Sequence, residues 1–521
     1  MDMYSAQLEQ EHFNDVIADL QFVFSSPNPL YELLHQKVLA SPTRCAVTDG
    51  VISFSYAELF QRVLACAQQL AAHGVSARAR VALYAANTPV FFAWYHALHA
   101  VGAIIMLVPV SLHEREVARI FEKGRPSVII AEPAKMELVV ACNEMLRAIP
   151  VIDVDSDVIP TNEELDLGVQ GRMLEDVAVV LYTSGSTGDP RGVALSVKNI
   201  LTNAAQSLVR MCRLGLDDDG ERFLAVLPLT HAFGHMTCLW LPLIAGATVF
   251  VMPGIKRKEL LAAFSSFEPT AFFMVPALVG LLCTMYSLQV DSVKAFVSGG
   301  DFLSSKLAAG FELLFGRRIC SGYGLSEASP VVGINVYPRA STSSLISPLL
   351  VGIEYKITPS VSDSSPAVGE LMIRSDSVFQ GYLEDPDMPL RTTLIDGWLP
   401  TGDLVEELAD RSLNMIGRCK DVIVFKAFNV YPQEVERVLL LHPHVYMAVV
   451  IGLEHELFGQ TPVAAVVVKP GATVEEKALV SLCKEHLASY KIPHKIVIYD
   501  QLPLNHLGKI DRRTVKKMIE G

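Results

Sequence analysis

The chain has 521 residues, too many for one ordinary hydrophobic core, so it divides into two or more domains. Hydrophobic residues make up 51% and charged residues 19%, a balance that allows large cores or peripheral contact with a membrane. The net charge of −13 excludes a general nucleic-acid binder. The cysteines at 45, 66, 142, 212, 238, 283, 320, 419 and 483 include no close pair at ligand spacing, which argues for a reducing compartment and against structural zinc.

The N-terminal MDMYSAQLEQEHFND is polar and acidic and lacks the basic flank and apolar stretch of a signal peptide, so secretion is not expected. Ser55 and Glu58 have capping-box spacing, and Leu59, Val63, Ala67 and Leu70 follow at helical intervals. A strand over 80–85, a helix over 89–100 and a strand over 103–108 come next. The apolar stretches 81–110 and 271–288 invite a membrane reading. Asn87, Pro89, His96, His99, Gly102 and Pro109 interrupt the first, and Pro276 and Gly280 the second, so both read as buried strand–helix–strand segments.

Further short apolar strands are expected at 128–131, 177–181, 223–226, 248–251, 271–275 and 293–297, with a helix over 196–211 capped by Ser196. This alternation predicts an α/β protein with a layered sheet flanked by helices. After residue 337, Ser-rich turns and alternating runs at 354–357 and 370–373 predict a small β subdomain. Beyond Gly417, helices over 435–440 and 477–487 and strands over 448–451 and 464–468 predict a compact α+β domain.

Residues 181–193 read LYTSGSTGDPRGV, a polar loop launched from an apolar strand. Gly185, Gly188 and Gly192 let the backbone approach an anion, the hydroxyls of Thr183, Ser184, Ser186 and Thr187 supply donors, and Arg191 adds positive charge. The loop has neither the P-loop pattern nor that of a dinucleotide fold. A flexible linker of the same composition rarely sits directly behind a buried strand.

Five later segments carry further polar chemistry: Leu227-Pro-Leu-Thr-His-Ala-Phe-Gly234, Val297-Ser-Gly-Gly-Asp301, Gly322-Tyr-Gly-Leu-Ser-Glu327, Thr401-Gly-Asp403 with Arg418, and Leu502-Pro-Leu-Asn-His-Leu-Gly-Lys-Ile-Asp511. Read singly, His231 suits a core histidine, Gly299 and Gly300 a turn, Glu327 a surface carboxylate, Asp403 a turn cap and Lys509 a solvated lysine. Their order along the chain, together with the loop, resembles the adenylate-forming superfamily of acyl-CoA synthetases, luciferases and peptide-synthetase adenylation domains. The resemblance extends from about residue 30 to the C-terminus.

The resemblance implies a large N-terminal domain, 1–417, of layered α/β subdomains, with a small β-barrel-like subdomain over about 341–417. A small mobile α+β domain, 418–521, would follow a hinge near 417–420. ATP, Mg²⁺ and a thiol acceptor are implied, the thiol belonging to coenzyme A or to the phosphopantetheine of an acyl carrier protein. Thr183, Ser184, Gly185, Ser186, Thr187, Gly188 and Arg191 would grip phosphate. Gly299 and Gly300 would lie against adenine, Tyr323 in Tyr323-Gly324 would stack on it, and Ser326 would touch the α-phosphate. Glu327 would hold the metal, and Asp403 with Arg418 would fix the ribose. Lys509 would bridge carboxylate and α-phosphate, and His231 would line the acyl pocket, where amino-acid-activating members carry Asp. Lys420 stands at the hinge position, and 423–436 resembles the segment lining the thiol tunnel, with Ala427 at its narrow point.

Four features depart from the family pattern. Arg191 stands where Lys is usual, and Ala427 where Gly is usual. The stretch 341–352 lacks the Gly-Ser-x-Gly run, and the region after Asp403 lacks the usual Asp-Gly turn.

The expected activity is ATP-dependent ligation of a medium- or long-chain fatty acid to coenzyme A or acyl carrier protein, the basic residues Arg512, Arg513, Lys516 and Lys517 being either a carrier dock or a solvated helix face. The alternatives are an aryl- or other small-acid ligase, an enzyme that hands its acyl adenylate to a partner, or a non-catalytic nucleotide- or acyl-binding relative. A cytoplasmic location, either free or in peripheral contact with a membrane, with no transmembrane helix and no nucleic-acid partner, is expected.

Overall fold

The computed structural model describes residues 3–144, 149–156, 173–184, 190–217, 220–336, 344–359, 368–383, 390–426, 428–455, 459–504 and 510–520. Two large sheets form its core. In one, eight strands run in the order Val331–Asn335, Ile319–Gly324, Ala295–Ser298, Ala271–Met274, Arg222–Ala225, Thr248–Val251, Cys45–Thr48 and Ser53–Ser55. All neighbours pair in parallel except the strands at the two edges. The other has seven strands, ordered Gly381–Leu383, Pro190–Ser196, Val177–Ser184, Ile104–Leu107, Arg80–Tyr84, Val128–Ala131 and Val151–Asp153.

The parallel strands are near-continuous apolar runs because helices cover both faces of such a sheet. Val128–Ala131 and Ala271–Met274 are buried at every position. The helix Pro89–Ala100 falls where its sequence predicted, with Thr88 accepting from Phe91 N–H and proline in the first turn. Ser55 and Ser196 both close capping boxes, with Glu58 and Asn199 respectively. No helix among the described residues is long and apolar enough to cross a membrane.

The acidic N-terminal segment, assigned no element from sequence, is the helix Met3–Asp19. Its Glu9 is buried against the helix Val197–Cys212, where Arg210 Nε and Nη2 each donate to it at 3.0 Å and Arg213 at 2.9 Å. Arg210 also donates to the carbonyls of Ile334, Pro348 and Leu349, so one guanidinium ties the N-terminal helix to the chain entering the small β subdomain.

That subdomain is a four-stranded antiparallel sheet, ordered Glu354–Pro359, Val368–Arg374, Leu399–Glu407, Leu413–Arg418. It differs in one respect from a self-contained unit over 341–417. Gly381–Leu383 leaves it and pairs with Pro190–Ser196, the second arm of the loop hairpin. The C-terminal part follows the short turn Cys419–Asp421 and carries its own sheet, with Val445–His455 and Gly459–Val468 as its longest pair. The helix Arg512–Glu520 does not present all four basic residues to solvent as a docking face. Arg512 turns inward, donating to Glu436 at 2.6 Å and to the Val450 carbonyl at 2.7 Å.

Candidate active site

The polar loop is the tip of a hairpin. Strands Val177–Ser184 and Pro190–Ser196 pair antiparallel, with Thr183 opposite Arg191 and Ser184 opposite Pro190. Gly185, Ser186, Thr187 and Gly188 lie outside the described residues, as do Ala427 and Lys509. Gly192 is needed for close packing, since a Cβ there would meet Val180 Cγ1 at 2.8 Å and the Leu383 carbonyl at 3.2 Å.

Arg191 lies with its guanidinium 5.7 Å from the ring centre of Tyr382. The Tyr382 hydroxyl donates to Glu327 Oε1 at 2.6 Å, and the Glu327 backbone carbonyl accepts from Phe379 N–H at 2.8 Å. The loop cation and the candidate metal carboxylate, distant in sequence, thus share one tyrosine. Burial and the neighbouring Glu327 push the Tyr382 hydroxyl above its ordinary range, so it stays a donor. Glu327 Oε2 accepts no hydrogen bond among the described residues, leaving a carboxylate oxygen of the kind a hard cation takes.

Glu327 belongs to the short turn Ser326–Ala328, directly after the strand Ile319–Gly324. Gly324 permits that exit. A Cβ there would lie 2.0 Å from the Pro330 carbonyl oxygen, which also accepts from Leu325 N–H at 3.0 Å. Two residues upstream of Leu325, Tyr323 donates to Asp403 Oδ2 at 2.8 Å, and Arg418 Nε approaches Asp403 Oδ1 at 3.4 Å from the adjoining strand. Burial raises the Asp403 carboxyl above its usual range, while Arg418, the Tyr323 bond and the charge of Lys420 pull it back. Burial likewise raises the Tyr323 hydroxyl, with Asp403 adding to the effect.

The segment around His231 is folded back on itself. Its glycine, Gly234, sits where a Cβ would meet the Pro228 carbonyl oxygen at 2.2 Å. Asn87 fixes the start of the segment, donating to the Leu227 carbonyl at 2.8 Å and accepting from Leu229 N–H at 3.0 Å. His231 caps the helix Ala232–His235, its Nδ1 accepting from Phe233 N–H at 3.4 Å, which puts a neutral ring's proton on Nε2. Phe233 lies over Gly299, where a Cβ would meet its Cζ at 3.0 Å and the Gly322 carbonyl at 3.2 Å. His231, Gly299 and the strand leading to Tyr323 therefore meet through Phe233. Gly300, next to Gly299, has φ +81°, a conformation glycine adopts without strain.

Beneath them, His235 is fully buried, its Nε2 bonded to the Tyr95 hydroxyl at 2.6 Å, and Trp240 Nε1 donates to the same pair. The segment Met236–Trp240 is a π-helix, a turn that often marks functional positions. Burial pushes the His235 and His96 imidazoles down to about 3, so both are neutral.

The structure thus links Arg191 to Glu327 through Tyr382, and Tyr323 to Arg418 through Asp403, with the charges of Glu327 and Lys420 acting on Asp403, while Phe233 joins the His231 segment to Gly299. Sequence reading missed Tyr382 and gave Phe233 no role. Tyr382 belongs to none of the five segments, and only the pairing of Gly381–Leu383 with the hairpin exposes it. The segment 423–436, singled out by its resemblance to a thiol-tunnel lining, is the hairpin Ile423–Phe425 and Phe428–Val430 followed by the start of the helix Pro432–Leu441. Arg437 of that helix stacks on Phe302, 5.0 Å from its centre, beside Asp301.

Comparison with known proteins places this architecture. The profile described as "AMP-binding enzyme" matches residues 34–383, and that of "AMP-binding enzyme C-terminal domain" matches residues 434–509. A feruloyl-CoA synthase from an Amycolatopsis species is 30% identical over 92% of this chain and 96% of its own length. A 2-succinylbenzoate–CoA ligase from Geobacillus sp. strain WCH70 is 30% identical over 93% and 97%. Among solved structures, the o-succinylbenzoate CoA synthetase of Bacillus subtilis in complex with its acyl-adenylate intermediate superposes with a TM-score of 0.83 at 27% identity, covering 94% of this chain and 98% of that one. The ATP-bound MatB of Rhodopseudomonas palustris shares the fold at a TM-score of 0.85 and 24% identity, covering 95% and 99%.

Two layered α/β sheets, a small β subdomain and a C-terminal α+β unit define the architecture of adenylate-forming enzymes. The chain belongs to the AMP-binding enzyme family.

Proposed function

We propose that this protein activates a compact, aryl-bearing carboxylic acid with ATP and transfers the acyl group to coenzyme A. A carboxylate oxygen of the acid attacks the α-phosphorus of ATP, and pyrophosphate leaves. The thiol sulfur then attacks the acyl carbon, and AMP leaves. The first step pushes two anions together, so fixed positive charge and positioning decide its rate.

The observation that carries the proposal is that the Arg191–Tyr382–Glu327 group neighbours the Tyr323–Asp403–Arg418 group, Glu327's charge acting on Asp403, a set of charges and hydrogen-bonding groups that suits a nucleoside phosphate. Arg191 faces the departing phosphates, and Asp403 with Arg418 holds the ribose. Magnesium on Glu327 would neutralise phosphate charge. Lys509, placed by resemblance alone, bridges the carboxylate and the α-phosphate. Removing such a donor costs ~10²–10³ in rate.

The aryl preference rests on aromatic edges beside the acyl segment. Phe233 packs on Gly299 and meets the buried Phe273 edge-on at 6.2 Å, which fixes its half-buried ring beside the His231 segment. The relatives named for feruloyl and 2-succinylbenzoate substrates favour the same choice over a medium- or long-chain fatty acid, and their names favour coenzyme A over a carrier protein.

ATP–pyrophosphate exchange with ferulate, 2-succinylbenzoate, anthranilate, octanoate and palmitate tests this reading. Exchange strongest with an aryl acid, followed by thioester formation on coenzyme A, is expected, and Lys509→Ala should suppress the exchange. Exchange strongest with palmitate overturns the aryl assignment. Thioester formation only on a phosphopantetheine carrier overturns the acceptor, and exchange with no acid of the panel overturns the activity.

A further inference from the structure

We infer that Tyr382 is the residue that sets Glu327 and Arg191 in working position, its hydroxyl fixing the carboxylate for a divalent cation and its ring supporting the guanidinium that meets the nucleotide phosphates. The inference rests on the assignment of Glu327 and Arg191 proposed above. It adds a residue to which no motif assigns a role.

Contacts through the hydroxyl, the ring and the backbone define the arrangement. The hydroxyl donates to Glu327 Oε1 at 2.6 Å, within the range of strong bonds to carboxylates. The ring sits 5.7 Å below the Arg191 guanidinium, inside cation–π distance. The backbone is locked as well: Tyr382 lies opposite Val193 on the hairpin strand, and its N–H and carbonyl exchange bonds of 2.9 and 3.0 Å with Arg391. Phe379, three residues earlier, packs edge-on against the ring at 4.9 Å and donates its N–H to the Glu327 carbonyl. Tyr382 is only 8% exposed, so neither ring nor hydroxyl has room to swing.

The consequence for Glu327 is geometric. A glutamate carboxylate turns about its last torsion through a broad, two-fold range. With Oε1 engaged by a buried hydroxyl, that rotation stops and Oε2 keeps one direction. A cation gains a ligand whose orientation is set before binding. Partners of this kind typically change metal affinity by about 10–100-fold when removed.

The consequence for Arg191 is different. Where the family usually carries a lysine, whose compact charge needs no support, a planar guanidinium gains from a flat aromatic beneath it. The tyrosine ring and the arginine thus act as a matched pair.

The test uses the full chain and a non-hydrolysable ATP analogue, with binding followed by calorimetry as Mg²⁺ is titrated. Tyr382→Phe removes the hydroxyl and keeps the ring. It should raise the Mg²⁺ midpoint about tenfold or more, while affinity at saturating Mg²⁺ stays within about twofold. Tyr382→Leu removes the ring too and should also weaken binding at saturating Mg²⁺. That second loss should disappear in an Arg191→Ala background.

Nucleotide binding that does not depend on Mg²⁺ in the unaltered protein would overturn the Glu327 assignment, and the tyrosine's role with it. A Mg²⁺-dependent protein whose Tyr382→Phe variant keeps the same midpoint overturns the tyrosine alone. Equal losses from Tyr382→Leu with and without Arg191 overturn the stacking half. Should Tyr382→Leu fail to fold, Arg191→Lys gives the same answer: a supported guanidinium should bind the analogue more tightly than lysine, and equal affinity overturns the pairing.

Discussion

Acidification should destabilise this protein through two fully buried imidazoles. His96 and His235 pack around Tyr95 and Trp240, fully enclosed, and burial lowers each from 6.5 to about 3. The unfolded chain binds protons on both below pH 6.5, whereas the folded chain does not until about pH 3. Stability is therefore complete above pH 6.5 and falls as the pH drops through the window between those values. At pH 5 an unfolded imidazole is charged over neutral by about thirty to one, which amounts to about 2 kcal/mol for each residue and about 4 kcal/mol for the pair.

Urea unfolding at pH 7 and pH 5 measures this, with fluorescence as the probe because Trp94 and Trp240 lie in or beside the cluster. His96→Phe keeps the aromatic shape, which contacts Tyr95 and Trp240 edge-on, and removes a ring whose Nδ1 has no hydrogen-bond partner among the described residues. The variant should lose about half of the pH dependence and should be no less stable than the parent at pH 7. An unchanged dependence on pH in His96→Phe would refute the argument.

Other changes act on single contacts. Glu9→Gln leaves Arg210 and Arg213 with a neutral partner in a buried site and should cost about 3–5 kcal/mol in urea unfolding; a loss under ~1 kcal/mol means the helix Met3–Asp19 is not latched through that pair. Gly324→Ala places a methyl against the Pro330 carbonyl and must displace the turn that carries Glu327, so pyrophosphate exchange should fall at least about tenfold while unfolding still shows a folded protein. Parent-like exchange would show that the turn tolerates the shift. Asp403→Asn removes the charge between Tyr323 and Arg418 and should raise the KM for ATP about tenfold, with a smaller effect on kcat; an unchanged KM removes Asp403 from the nucleoside site.

What the sequence disclosed depended on how far each residue's partners lay. Strands whose neighbours are apolar on both faces reveal themselves as runs, so Val128–Ala131 and Thr248–Val251 were legible to the residue. The helix Pro89–Ala100 was equally so, because Thr88 and Pro89 mark its start. Met3–Asp19 was not, because what anchors it is a glutamate whose partner stands 201 residues away and whose neighbours are polar. Within the candidate site, the motifs around Tyr323, Glu327 and Asp403 marked these residues out, and their hydrogen bonds follow from the fold. Tyr382 has no such frame, and its meaning arises only where a strand of three residues crosses to another sheet. In the basic C-terminal helix, where Arg513 and Lys517 are exposed, nothing local shows that Arg512 turns to meet Glu436.

That three-residue strand also bears on how the protein behaves among its own copies. Pro190–Ser196 is buried at all but one of its positions, and without Gly381–Leu383 beside it the sheet would end there in an open row of backbone donors and acceptors. Such a border is a template on which another chain can add a strand. Gly381 enables the cover, since any side chain at its φ of +156° would press on the Arg391 carbonyl. A segment that looks like a minor detour between subdomains therefore covers the border, beside the polar-loop hairpin, on which a second copy of a half-hydrophobic chain would otherwise find a strand to pair with.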